Sequence, residues 1–176
     1  MDSYLEQLHK AITAATADMS AEELERHPPG KWSTAEVLEH LCLTYAGTVK
    51  GMGRCLEADK ALGSVPTWKQ RMRIVAVTRL GYLPSGREAP RGARPRGMAP
   101  HQLRAEIASR IADMDRVISE CEARLGKRTK VLDHPILGPL TAGEWRRFHW
   151  VHGRHHVKQI WKLRGSRGQR PAKGRG

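Results

Sequence analysis

The stretch EWRRFHWVHGRHHVKQIWKL, residues 144–163, holds four of the chain's nine histidines. Set on a helix at about 100° per residue, Trp145, Phe148, His152, His156, Gln159 and Leu163 fall within about 40° of one another's mean direction. A face so rich in apolar residues is one that a bundle buries, and it carries two imidazoles one turn apart. Neutral imidazole is a good ligand for zinc, nickel, copper or iron, and this spacing lets two rings grip one ion. Burying two unpaired imidazoles without such a partner is costly, although hydrogen-bonded core histidines are the alternative reading of the same pattern. Spacing alone also leaves His155, about 60° to the other side of His152, open as the second ligand in place of His156.

A third ligand must come from elsewhere, and His40 leads. Glu36, Leu43, Thr44, Gly47 and Gly51 lie on neighbouring helical faces, and the small ones leave room for a water and a substrate. Three histidines with an open position describe a catalytic site, since a structural zinc site is closed by a fourth protein ligand. Glu36, one turn before His40, could orient a ring nitrogen or act as a base, but it also completes the capping box Ser33-Thr-Ala-Glu36. His134, at the head of HPILGP, could serve as a proton shuttle or simply stabilise a turn.

The elements that must position these residues are helical. Tyr4, Leu5, Leu8, Ile12 and Ala15 stripe a first helix over about residues 2–18, and Ser20-Ala-Glu-Glu23 caps a short turn of helix. The helix that bears His40 runs from Ser33 to about Lys60, and Pro66 opens another that ends near Gly81. LPSGREAPRGARPRGMAP then reads as a long loop packed across the bundle. Leu103, Ile107, Ile111, Met114, Ile118 and Leu125 mark the next helix, from Pro100 to Gly126, and the box Thr141-Ala-Gly-Glu144 starts the last, which runs to about Leu163. No hairpin signal or internal repeat is visible, so the expectation is an all-α fold of four principal helices and one short extra helix. Residues 1–164 form the bundle, and 165–176 a basic disordered tail.

Composition narrows the function. At 176 residues a single domain is expected. Neither a leader pattern nor an apolar run of about 18 residues is present, which suggests a cytoplasmic protein with no membrane partner. Cys42, Cys55 and Cys121 form no C-x-x-C pair and read as small core residues. The net charge of +13 is local: Lys69, Arg71, Arg73 and Arg79 without an acid, then Arg87, Arg91, Arg94 and Arg96 against Glu88, then the tail. The bundle itself is nearly neutral, so nucleic acid is a possible but not a favoured partner. Arg87, Arg91, Arg94 and Arg96, the first two above all, could instead clamp the carboxylates of a charged thiol or acidic substrate, or simply lie in a solvated loop.

Two helices are apolar on a second side, through Trp150, Val157 and Trp161 in one and Leu38, Cys42, Tyr45 and Val49 in the other. That pattern suggests a homodimer.

KWSTAEVLEHL, HPILGPLTAGEW and HWVHGRHHVKQI together resemble the DinB-like family of metal-binding four-helix bundles. The resemblance spans most of residues 1–164, and in that family the helix-borne first histidine and an H-x-x-x-H-x-x-Q pattern supply the ligands. It therefore implies His40, His152 and His156 as the metal ligands, with Gln159 in the glutamine position. It also implies a divalent ion, zinc or nickel, and a hydrolase or a transferase using a low-molecular-weight thiol on a small-molecule substrate. The alternative is a non-enzymatic dimeric bundle that binds nucleic acid or another acidic partner through its basic loop and tail.

Overall fold

Side-chain caps fix where most of the helices begin. In the computed structural model, which describes residues 1–83 and 88–165, the Asp2 carboxylate caps α1 (Ser3–Thr16) and Ser20 caps α2 (Ala21–Glu25). Ser33 caps α3 (Thr34–Glu57) and Thr67 caps α4 (Trp68–Thr78). Reciprocal boxes close three of these starts through Glu23, Glu36 and Gln70, each pairing two amides that a helix otherwise leaves orphaned. After a single 3-10 turn (Arg91–Ala93), Pro100 opens α5 (Pro100–Leu125). Strands β1 (Leu132–His134) and β2 (Gly138–Leu140) then lead to α6 (Ala142–Gly165), whose start is boxed by Thr141 and Glu144.

α1, α3, α5 and α6 are the bundle, with α3 packed along α5 and α1 along α6. Their inward stripes meet in one core that includes Leu5, Leu8 and Ile12, Leu38, Leu41 and Tyr45, Ile111, Met114 and Ile118, and Ile160. The fold is the expected all-α bundle, and the two shorter helices, α2 and α4, lie where the Ser20 box and Pro66 announce them, one more than the single extra helix of the expected count. The helix ends fall within about three residues of the expected ones.

The hairpin departs from expectation. β1 and β2 pair antiparallel, with Leu132 opposite Leu140 and His134 opposite Gly138. Strands of three residues are too short to show an alternating pattern, so the signal is not in the sequence. The turn is held instead by a side chain, because His134 Nδ1 accepts the N–H groups of Ile136 and Leu137 at 3.1 and 3.2 Å.

The second apolar sides of α3 and α6 are covered within the chain. Leu38, Cys42 and Tyr45 are buried on the α5 side of α3, while Val157 lies one turn beyond Gly153 on the side of α6 that faces α1. A Cβ at Gly153 would stand 2.2 Å from Leu8 Cδ1, so only glycine permits this approach. On α6 the covering is partial, since Trp150 is half-buried and Trp161 is exposed. Among the described residues no helix is long and apolar enough to cross a membrane.

Segment 88–98 crosses the bundle as expected of a packed loop, and its anchor is Glu39. This carboxylate, 1 % exposed, accepts the backbone N–H groups of Arg96, Gly97 and Met98 at 2.7, 2.9 and 3.0 Å. At the far side of the molecule, Arg146 at the start of α6 is tied to Glu122 of α5 at 2.7 Å, which fixes the register of the two helices.

Candidate metal centre

α3 contributes His40 and α6 contributes His152 and His156, and the structure gathers all three imidazoles at one point. One nitrogen from each lies within 4.8 Å of the other two. His152 Nε2 is 3.3 Å from His40 Nε2 and 3.1 Å from His156 Nε2.

The remaining ring nitrogens settle the tautomers. His40 Nδ1 faces the Ala93 carbonyl at 2.7 Å, and a carbonyl can only accept, so Nδ1 carries the proton and Nε2 presents a lone pair. Gln159 Oε1 does the same for His156 Nδ1 at 3.0 Å. Two lone pairs thus face a single His152 Nε2, which has at most one proton to share. Metal–nitrogen bonds of about 2.0–2.1 Å in a tetrahedron set ligand nitrogens roughly 3.3 Å apart, close to the two separations from His152, while the His40–His156 pair, within 4.8 Å, closes up for all three rings to hold one cation.

Electrostatics point the same way. Burial lowers the pKa of His40 despite the opposing bond to Ala93, lowers that of His152 well below its ordinary value, and lowers that of His156 to about 3. All three are therefore neutral at pH 7, the form that ligates. His152 stacks on Phe148 with ring centres 5.3 Å apart, which fixes its plane, while its Nδ1 is buried without a partner.

The cluster opens onto a cavity of about 1200 Å³. One wall is the α3 face His40, Leu43, Thr44, Gly47 and Gly51, and the others come from α4, the hairpin, α6 and segment 88–95. Gly51 lets the Leu132 side chain lie against α3, since a Cβ there would stand 2.6 Å from Leu132 Cδ2 and turn that side chain away. A Cβ at Gly47 would meet nothing within 4 Å, so this small residue leaves open space in the wall.

Glu36 and His134 both line the cavity. Glu36 holds Ser33 N–H at 2.8 Å and lies 3.4 Å from His27 Nδ1, whereas the nitrogen of His40 that it was expected to orient is held by Ala93. His134 is lowered to about pKa 4 by burial, and with Nδ1 accepting two backbone amides its proton sits on Nε2.

His155 is farther round α6. It packs edge-on against His156 with ring centres 5.3 Å apart and is not in the three-nitrogen group. Arg87 lies outside the described residues, and Arg91 does not line the cavity. The loop arginine that does is Arg94, whose guanidinium is engaged by Glu88 at 2.7 Å and by the Ala89 carbonyl. None of the three cysteines lines the cavity, and burial raises the Cys42 thiol to about 12 and the Cys121 thiol to about 11.

Two supporting groups have no clear sequence signal. Glu39 precedes a ligand and looks like any charged helical residue, and Ala93 contributes only its backbone. Neither the curated proteins nor the solved structures yield a match to the chain. The family model of the DinB superfamily, in contrast, matches residues 4–160, a span that includes His40, His152 and His156. As that match covers most of the sequence and the fold is the corresponding helical bundle, the chain belongs to the DinB superfamily.

Proposed function

We propose that this protein is a divalent-metal-dependent enzyme, a hydrolase or a thiol S-transferase acting on a small molecule, with His40, His152 and His156 holding the ion. The observation that carries the reading is the convergence of three neutral imidazole nitrogens, two with their lone pairs free, on the wall of a large cavity. Zinc and nickel both suit such a donor set. When bound, either ion supplies Lewis acidity that draws the pKa of a coordinated water or thiol toward neutrality.

The chain's own groups do the rest. Ala93 and Gln159 orient two ligand rings from behind, as outer partners of metal-binding histidines generally do. His134, neutral and protonated at Nε2, donates a hydrogen bond to an oxygen of the substrate. Glu36 accepts a proton at the opposite wall, although its capping role constrains one oxygen. Leu43, Leu137 and Phe148 exclude water from the middle of the cavity.

The test is elemental analysis of protein without a histidine tag, beside His40→Ala and His152→Ala. About one zinc or nickel per chain in the parent and little in either variant supports the reading. Equal, negligible metal in all three after exposure to zinc and nickel rejects it.

A further inference from the structure

α4 is apolar on two opposite sides, and its outer side is exposed. Ile74 and Val77 are buried on its inner side. Trp68, Met72 and Val75 lie within about 40° of one another's mean direction on the other, and they are 71 %, 62 % and 41 % exposed. Beyond the helix ends this segment also exposes Val65, Leu80 and Tyr82, the last of which lines the cavity. It is the main concentration of exposed large apolar side chains among the described residues. A patch of this kind marks a surface that something else covers.

Charge says what that is. Residues 66–80 carry Lys69, Arg71, Arg73 and Arg79 and no acid. Arg71 and Lys69 stand on the two flanks of the Trp68–Met72–Val75 stripe, and Arg79 lies within it, by helical geometry. An apolar stripe with Trp at one end, basic side chains along its edges and no negative charge is the layout of a helix that lies in the surface of an anionic bilayer. There the aliphatic and indole groups enter the acyl boundary and the long basic chains reach back to phosphates.

We infer that the outer face of α4, built on Trp68, Met72 and Val75, docks on a membrane surface rich in anionic lipid. Pairing with a second copy through this face would set Lys69, Arg71 and Arg79 against the same three cations with no acid between them, which opposes association. A nucleic acid would meet the charge and could stack one base on Trp68, but Met72 and Val75 offer no further plane, whereas hydrocarbon accepts all three. The inference is independent of the metal site, although α4 also forms a cavity wall through Ala76 and Val77.

The experiment is co-sedimentation of the full chain with vesicles of phosphatidylcholine alone and of phosphatidylcholine mixed with an equal part of phosphatidylglycerol. It is run beside Trp68→Ser/Met72→Ser and Arg71→Gln/Arg79→Gln, whose side chains point away from the core, with thermal melting to verify folding. Selective binding to the anionic vesicles, weakened roughly tenfold or more by each double variant, is expected for two lost anchors or two lost charges. Three results overturn the inference: no vesicle binding, binding that the Trp68→Ser/Met72→Ser variant retains in full because the basic tail alone provides it, or a size-exclusion shift from dimer to monomer in that variant with vesicle binding unchanged.

Discussion

Ala93 and His40 are 53 residues apart in sequence, yet the Ala93 carbonyl lies 2.7 Å from His40 Nδ1 and dictates which nitrogen of that ring is free. The carbonyl is in turn held by its neighbours. Arg96, Gly97 and Met98, three to five residues on, donate their backbone N–H groups to Glu39, the residue directly before His40. The α3 backbone thus carries a ligand and the anchor of the segment that orients it.

Glu39 is accordingly a positioning residue for the metal centre. Glu39→Gln keeps the shape but halves the accepting capacity, so the segment loosens and His40 loses its fixed tautomer. Zinc affinity, read by competition with a chromophoric chelator, is expected to fall about 10- to 100-fold, the range found when outer-shell partners of ligating histidines are removed. Unchanged affinity in a folded variant would show that Ala93 keeps its place without Glu39.

Spacing leaves the choice between the adjacent His155 and His156 open, and the structure selects His156 for the three-nitrogen group. His156→Ala is expected to lose bound metal, while His155→Ala retains about one ion per chain, as measured by elemental analysis after dialysis. Gln159→Ala should fall between the two, because the ligand remains but its Nδ1 partner is gone.

What can be read from the sequence is local. His152 and His156 lie one turn apart, and the boxes at Ser20, Ser33 and Thr141 span four residues each, so their geometry follows from helical periodicity. The Glu39 contacts span 57 to 59 residues and end on backbone amides, which no side-chain pattern announces. The box at Thr67 is hidden behind Pro66, which as a first helical residue lies two positions before the observed start at Trp68. The apolar sides of α3 and α6 are legible as apolar, but not that α5 and α1 cover them, because that depends on which helices become neighbours.

Buried histidines set a pH dependence on stability: burial lowers the ligands His40, His152 and His156 in metal-free protein, and it lowers two histidines outside the metal group as well. Burial lowers His149 to about 3 and His134 to about 4, whereas an unfolded imidazole titrates near 6.5. Below about 6.5 the unfolded chain binds protons that the native chain refuses, so stability is complete above that pH and declines as pH falls toward the native values. The melting temperature of chelator-treated protein should therefore drop through the mildly acidic range. His149→Gln, which can keep a hydrogen bond to Thr48, should lower the melting temperature at neutral pH but make the acid decline shallower. A decline as steep as the parent's would assign it to other groups.

Gly153 decides whether α6 can lie close enough to α1 to complete the bundle beside the ligands. An alanine there gains roughly 1 kcal/mol of helix propensity over glycine. Its Cβ, however, would stand 2.2 Å from Leu8 Cδ1 and 3.0 Å from Cδ2, and Leu8 is fully buried, with no free space into which to turn. Overpacking of this kind costs about 1–3 kcal/mol, so the steric term should win. Gly153→Ala is expected to lower the urea midpoint, and metal affinity with it, because His152 is the adjacent residue. Gly143→Ala, in the first turn of the same helix with nothing within 4 Å of its Cβ, should leave the midpoint unchanged or raise it. A stabilised Gly153→Ala protein would mean that α1 shifts freely along α6, and that the position of the ligand pair does not depend on this contact.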